Sequence, residues 1–174
     1  EQDFGHDYYR AGSVHKIHVI IDRKRQLLAW NQRMASASAL AHRNVPDNRL
    51  WTSELQADQL PAALVPNYRS DWYALDSAMP RGPARGMPHL SNAFAVESFI
   101  DEIAHSMKED PLVTHLRMLG EPRELALSSG GSIDTGRLAN VLKLVADRVE
   151  WKNWLRTVNG LGIACWHIDG AYVA

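Results

Sequence analysis

Two Arg-Gly pairs lie close together in the sequence PRGPARGMP, residues 80–88, just before a predicted helix. Prolines restrict the backbone there, whereas Gly86 lets it approach a ligand while an arginine side chain reaches past it. A guanidinium group and a helix N-terminus both favour anions and polarised oxygen atoms. Residue chemistry alone gives equal weight to such a site and to an ordinary surface turn.

The histidines and the cysteine do not predict a metal site. His15 and His18 are three residues apart on a predicted strand, so their side chains point to opposite faces and cannot readily share one ion. His89 and His105 have no carboxylate or cysteine at ligand spacing. The single cysteine, Cys165, excludes an internal disulfide framework and leaves no Cys-based zinc site.

Three further features have structural interpretations that are favoured over functional ones. Residues 127–136, rich in Gly and Ser, lack the known phosphate-binding motifs, so a flexible connection is favoured over a nucleotide site. The carboxylates of Glu97, Asp101 and Glu102 favour a solvated or ion-paired helix face. Cys165 lies in a predicted apolar strand, where a thiol is usually inert, and no nucleophile and base pair is evident.

The elements that must position these residues are predicted from the hydrophobic pattern. Residues 13–35 predict an antiparallel hairpin, and residues 36–90, with six prolines and little periodicity, predict a long irregular connection with short elements. Residues 91–151 predict two to three helices, and residues 160–174 predict a strand. This order of elements indicates an α+β fold in a single partial domain.

Three helix starts are indicated by capping residues. Ser91 or Asn92 can cap the first helix. Asp110 followed by Pro111 is a cap and first-turn pair for the second. The third opens at residues 134–135. The apolar stripe of the first helix consists of Val96, Ile100, Ile103 and Met107.

Composition excludes some classes of function. The formal net charge is −1 at pH 7, so no overall field draws the chain to nucleic acid or to an acidic membrane. No apolar run approaches the length of a membrane span, and no signal peptide is visible. The sequence starts with polar residues and no initiator Met, and it stops within an apolar run. These features predict a piece of a larger protein.

Several blocks, in order through nearly the whole chain, carry a family resemblance. They are EQDFGHDYYRAGSVHKIHVIIDRKRQLLAW, RGMPHLSNAFAVESFIDEIAH, DPLVTHLRML, LANVLKLVADRVEW and GLGIACWHIDGAYVA. Together they resemble the molybdenum-binding large subunit of the xanthine oxidase family. The closest branch is the isoquinoline 1-oxidoreductase β subunit and related bacterial molybdopterin-dependent aldehyde dehydrogenases, and residues 36–75 match poorly.

The resemblance implies part of a molybdopterin-binding domain. The complete enzyme would oxidise aldehydes or hydroxylate N-heteroaromatics with oxygen from water. It would hold molybdenum on molybdopterin cytosine dinucleotide, and its partners would be the rest of the large subunit and a small iron–sulfur subunit. The resemblance leaves open the bacterial cytoplasm or the periplasm.

The resemblance also implies site residues. Arg85, Gly86 and Met87 match the family's Phe-Arg-Gly-Phe-Gly loop beside the molybdenum, with Met87 where many relatives have an aromatic residue. Arg81 and the glycine after it are a second candidate for the same match.

The family's catalytic glutamate lies in a Gly-Glu-Pro segment followed by glycine. The GEP at 120–122 leads into RELAL, so we interpret it as a coincidence. The chain alone is expected to hold only part of the site and to be inactive.

A non-catalytic interaction or scaffolding domain is the alternative. Trp51, Trp72 and Tyr73, in the poorly matching region, would then form a partner surface, because aromatic residues concentrate at such surfaces.

Overall fold

A computed structural model describes residues 9–41, 43–55, 58, 60–83, 86, 88–156 and 160–174. Their elements, in order, are β1 (Ser13–Ile21), β2 (Leu27–Ser36), a 3-10 helix (Asp47–Ser53), β3 (Asn67–Ala74), α1 (His89–Ser106), α2 (Pro111–Leu119), β4 (Glu124–Ala126), β5 (Ser132–Asp134), α3 (Thr135–Arg148), a second 3-10 helix (Trp151–Arg156), β6 (Trp166–Ile168) and β7 (Ala171–Val173). The structure is a mixture of helices and small sheets. At the level of fold class it supports the α+β prediction.

The predicted N-terminal hairpin is present as β1 and β2, which pair antiparallel. Its turn is closed by Asp22, whose Oδ1 accepts hydrogen bonds from the backbone N–H groups of Lys24 and Gln26, each at 2.8 Å. Arg25 has a φ of 64° in this turn. Side chains along β1 alternate between half-buried and exposed, as expected for a strand with one solvated face.

The long connection predicted over residues 36–90 has short elements, but one of them is a strand that the sequence pattern did not identify. It contains β3, which pairs parallel to β2 from Ala29 opposite Asn67 to Ser36 opposite Ala74. β3 is an edge strand of the order β1-β2-β3, and its polar and aromatic residues do not alternate. Without alternation, the sequence carries little strand signal.

The predicted cap of the first helix was also wrong. Pro88 is the N-cap of α1, with no side-chain cap hydrogen bond. The buried Asn92 Nδ2 donates instead to the carbonyl oxygens of Glu54 (2.6 Å) and Pro88 (2.9 Å). The side chain expected to cap the helix therefore ties it to the preceding segment.

The other two helix starts are as predicted. The Asp110 side chain accepts a hydrogen bond from the backbone N–H of Leu112, and Pro111 occupies the first turn of α2. The Asp134 side chain accepts from the backbone N–H of Arg137 at the start of α3. Each carboxylate thus satisfies a backbone donor that the helix leaves free.

The core joins the three-stranded sheet to the helices. Trp30 of β2 meets Phe99 of α1 edge to face, with ring centroids 5.4 Å apart. Leu138 and Leu142 of α3 are fully buried in the same core. Among the residues described, no helix combines the length and hydropathy that a membrane span requires.

Glu109 connects the hairpin turn to the helices. Its Oε2 accepts from Arg117 Nη2 (2.5 Å) and from Thr114 Oγ1 (2.6 Å), and its Oε1 accepts from Arg25 Nη1 (3.1 Å). Arg117 Nη1 also donates to the Arg25 carbonyl. This network holds the β1–β2 turn against α2.

The C-terminal region departs from the single predicted strand. Residues 161–165 have no regular secondary structure and lead into the short hairpin β6–β7. The Tyr172 hydroxyl accepts a hydrogen bond from the Asp134 N–H at 2.8 Å, and the Arg137 guanidinium lies 4.4 Å from the Tyr172 ring centroid. These contacts dock the hairpin on α3.

The Gly/Ser-rich stretch at 127–136 includes the turn between β4 and β5. Gly130 and Gly131 have φ values of 100° and 81° there, which glycine adopts without strain.

Candidate functional site

The loop predicted to approach a cofactor leads into α1. Arg85 and Met87 lie outside the described residues. Gly86 has a φ of 82°, a conformation that side-chain-bearing residues rarely adopt. The backbone N–H of Leu90 donates to the Gly86 carbonyl at 3.2 Å, which joins the loop to the first turn of the helix.

Arg81, the second candidate in this loop, is bound to the chain's own backbone. It is 7% exposed; its Nε donates to the Ser38 carbonyl (3.1 Å) and its Nη1 to the Ser77 carbonyl (2.6 Å). Its Nη2 lies 3.8 Å from the Asp76 carboxylate. Arg81 therefore anchors the start of the loop.

A cavity of about 720 Å³ lies between β1 and α1, and Leu90 lines it. Its polar lining consists of Arg10, Ser13, His15, Lys16, Ser91, Ser98 and Glu102. Two cations and three hydroxyl groups face one carboxylate there. Because hydroxyl and cationic side chains donate hydrogen bonds, this lining can bind an anionic group such as a phosphate.

A series of hydrogen-bonded polar side chains positions the residues beside this cavity. Gln32 is 1% exposed, and its Nε2 donates to His15 Nδ1 (3.2 Å) and to Asn92 Oδ1 (3.4 Å). His15 Nε2 therefore carries the proton and donates to Ser13 Oγ at 3.0 Å. Burial lowers the pKa of His15, so the ring remains neutral at pH 7.

From residue type alone, Gln32 is only a polar residue in a predicted strand, and Asn92 is only a candidate helix cap. Their contacts join β2 to the first turn of α1. They position the loop and the helix start relative to the sheet, a role that residue type alone does not reveal.

A second cluster consists of Glu97 of α1, His115 of α2 and Cys165, which precedes β6. Their ligand atoms all lie within 4.8 Å of one another, and all three residues are buried. His115 Nε2 is 2.9 Å from Glu97 Oε2, and the same oxygen accepts the Cys165 backbone N–H at 2.7 Å. His115 Nδ1 is 2.8 Å from the Pro111 carbonyl oxygen.

Electrostatics in this cluster favour a cationic imidazole and a neutral thiol. Burial opposes the charge on His115, but the hydrogen bond and charge of Glu97 raise its pKa overall, with smaller contributions from Pro111 and Asp101. Burial, and then the charge of Glu97, raise the pKa of the Cys165 thiol. The inert thiol expected from the sequence agrees with this environment.

Asp101 lies one helical turn after Glu97. Its Oδ1 is buried and has no hydrogen-bond partner among the described residues. Burial raises the pKa of Asp101, and the negative charge of Glu97 raises it further. The charge of His115 acts in the opposite direction and lowers it. Asp101, Glu97 and Cys165 line a cavity of about 450 Å³.

The carboxylates predicted to share a solvated or ion-paired face are divided by the fold. Glu97 is 8% exposed and paired with His115, whereas Glu102 is exposed. One feature of the sequence could have indicated that Glu97 is buried: it lies beside Val96 and near Ile100, at the border of the apolar stripe of α1. His115 and Cys165 could not be joined to it from spacing, because they come from distant segments.

The remaining predicted histidines are separated. His15 is half-buried and His18 exposed, as expected for opposite faces of a strand, and His105 is exposed. His89 is buried, and its Nδ1 accepts from Trp166 Nε1 at 3.0 Å.

Comparison with known proteins gives a likeness of fold. No protein-family model matches the chain, and no curated protein matches it. The solved structure of quinoline 2-oxidoreductase from Pseudomonas putida 86 matches with a TM-score of 0.60 at 18% sequence identity. The match covers 83% of this chain and 19% of the other, so this chain spans about a fifth of that protein and has the fold of that part.

Proposed function

We propose that this chain is one segment of the large subunit of a molybdopterin-dependent oxidoreductase. The complete enzyme oxidises aldehydes or hydroxylates N-heteroaromatics, and this segment alone is inactive. The observation that carries the proposal is the fold match, over 83% of the chain, to part of an enzyme named for the oxidation of an N-heteroaromatic, quinoline. The ordered sequence blocks resemble the same class of enzyme.

The loop before α1 supports this proposal. Gly86 adopts a backbone conformation suited to close approach, and the buried Arg81 fixes the start of the loop. With the Arg81 guanidinium engaged by backbone carbonyls, Arg85 is the arginine of this loop that we assign to the cofactor site. Gly86 and Met87 complete this part of the site in the proposal.

The neighbouring cavity has a donor set that fits the phosphates of a pterin dinucleotide. Arg10, Lys16, Ser13 and Ser91 would hold the phosphate oxygens. When bound, the molybdenum cofactor would take up the electron pair released as a substrate C–H bond becomes a C–O bond with water oxygen, the protons going to solvent and the electrons to an iron–sulfur subunit.

The test is to purify the tagged chain from cells that express it with the genes flanking its own. We expect it to copurify with larger subunits, with bound molybdenum, and to oxidise an aldehyde or an N-heteroaromatic with an artificial electron acceptor. Arg85→Ala should lower turnover by about 100-fold, the size seen when one preorganised donor is lost, with molybdenum content unchanged.

Arg49→Ala is the matched control, since Arg49 is exposed on the first 3-10 helix. Its turnover should equal that of the unmodified assembly. An Arg85→Ala assembly with normal turnover would refute the role of Arg85. A monodisperse monomer without molybdenum from the same cells would refute the proposal as a whole.

The alternative, a non-catalytic interaction domain, is supported by a groove of about 470 Å³ beside the first 3-10 helix and β3. It is lined by Trp51, Trp72 and Tyr73, of which Trp51 is 39% and Tyr73 53% exposed. Trp72 Nε1 donates to Ser36 Oγ at 2.9 Å, which fixes its indole. If Tyr73→Ser abolishes copurification of a partner in preparations without molybdenum, this alternative replaces the first proposal.

A further inference from the structure

The buried cluster of Glu97, His115 and Cys165 has a hydrogen-bonding arrangement that requires a proton or a metal ion between two of its atoms. The Pro111 carbonyl can only accept, so His115 Nδ1 must carry a hydrogen. A neutral imidazole then presents a lone pair at Nε2, yet this atom faces a carboxylate oxygen of Glu97 at 2.9 Å. Two acceptors at this distance need a proton or a metal ion between them.

In the metal-free state a proton fills this position. The third member of the cluster, Cys165, distinguishes it from an ordinary ion pair. Its sulfur lies within 4.8 Å of the ligand atoms of Glu97 and His115, and the residue is 5% exposed.

We infer that Glu97, His115 and Cys165 form a zinc-binding site in which Zn²⁺ takes the place of the shared proton. The sequence argued against a zinc site because it has one cysteine. The fold assembles a mixed site from one cysteine, one histidine and one carboxylate, which are all established zinc ligands.

Space and geometry fit this ion. A void of about 20 Å³ touches all three residues and is otherwise lined by apolar side chains, and such a volume holds one water-sized particle. Ligand atoms on one tetrahedral zinc ion are about 3–4 Å apart. On binding, the widest separations in the cluster would therefore shorten by up to about 1 Å, while His115 Nε2 and Glu97 Oε2 would move apart by a few tenths of an ångström; small side-chain rotations supply both changes.

Charge also fits. A thiolate, a carboxylate and a neutral imidazole around Zn²⁺ sum to zero, which a buried site requires. The Pro111 carbonyl holds the His115 ring with Nε2 toward the site, the usual outer contact of a zinc-bound histidine. Thiolate and imidazole favour zinc over magnesium or calcium.

Two of the three ligands, Glu97 and Cys165, also line the 450 Å³ cavity together with Asp101, so a fourth position would open toward that cavity. Asp101 Oδ1, buried without a hydrogen-bond partner among the described residues, could accept a hydrogen bond from a water in that position. The site thus has three protein ligands and one exchangeable position, the pattern of zinc sites that bind a further ligand.

The test begins with the metal-free 174-residue chain and Co²⁺ as a spectroscopic substitute for zinc. We expect one equivalent of Co²⁺ to give the visible bands of a tetrahedral ion and a thiolate-to-cobalt charge-transfer band in the near ultraviolet, all displaced by Zn²⁺. Competition with a chelating dye should give one Zn²⁺ per chain with a Kd below about 1 μM.

Cys165→Ser should abolish the charge-transfer band, and His115→Gln should weaken Zn²⁺ binding by at least about 100-fold. His105→Gln, on the exposed side of α1, is the matched control and should bind as the unmodified chain does. Co²⁺ binding without a charge-transfer band in the unmodified chain would overturn the inference without relying on any variant. Zn²⁺ affinity unchanged by His115→Gln would also overturn it. These readouts are independent of molybdenum and of turnover.

Discussion

Replacing Glu109 by glutamine should destabilise the protein by about 2 kcal/mol at pH 7. Burial alone would raise the pKa of Glu109, but hydrogen bonds from Arg117 and Thr114, the Arg117 charge and the hydrogen bond from Arg25 lower it from 4.5 to about 2. A difference of this size corresponds to about 3 kcal/mol. Because the Arg25 side chain is 52% exposed, we reduce this value to about 2 kcal/mol for solvent screening.

The pH dependence provides the sharper test. The folded-state pKa is lower than that of the unfolded chain, so the Glu109 carboxylate stabilises the fold fully above pH 4.5, and this stabilisation is lost as the pH falls from 4.5 toward 2. The free-energy difference between the unmodified chain and Glu109→Gln should shrink correspondingly. Urea denaturation followed by tryptophan fluorescence at pH 7 and near pH 3 measures it.

Glu102→Gln is the matched control, because Glu102 is an exposed carboxylate on α1. It should change the free energy of unfolding by less than about 0.5 kcal/mol. A penalty for Glu109→Gln that is equal at both pH values, or no larger than that of Glu102→Gln, would refute the role assigned to the Glu109 network.

Two further predictions use the same unfolding assay. Leu142→Ala should cost about 3 kcal/mol, because Leu142 is fully buried in α3, whereas Leu144→Ala, at a position 58% exposed, should cost less than about 0.5 kcal/mol; equal losses would contradict the packing described. Asp110→Ala should cost about 1–2 kcal/mol, because it removes the α2 cap and both 3.0 Å hydrogen bonds from Trp151 Nε1; Asp110→Asn, which can keep the cap, should cost less.

Local chemistry made parts of this fold predictable. The β-branched run before the turn at Asp22 indicated the hairpin, and Asp110 and Asp134 indicated two helix starts, because each signal acts over a few residues. Asn92 was misassigned since its amide bonds to Glu54, a contact that no local pattern contains.

The candidate sites were not predictable from local patterns, because residues that are distant in the sequence form them. β3 was missed because its partner is the parallel strand β2, some 38 residues earlier in the paired register, and its own residues do not alternate. The Glu97 and His115 pair was missed for a similar reason, since each residue alone is typical of a helix surface. The positive φ of Gly86 fits the backbone freedom that its residue type indicated, whereas its place beside a cofactor stays a prediction.

The hydrogen bond from the Cys165 amide to Glu97 also has a kinetic consequence. The bond joins residues 68 positions apart and therefore closes a long loop. The chain loses conformational entropy when this loop closes, which slows formation of the contact. We expect the segment leading into β6 to dock only after α1 and α2 have packed together. Pulse-labelling hydrogen exchange during refolding, read at this one amide, would therefore report a late stage of folding, when a carboxylate on an already formed helix binds the segment before β6.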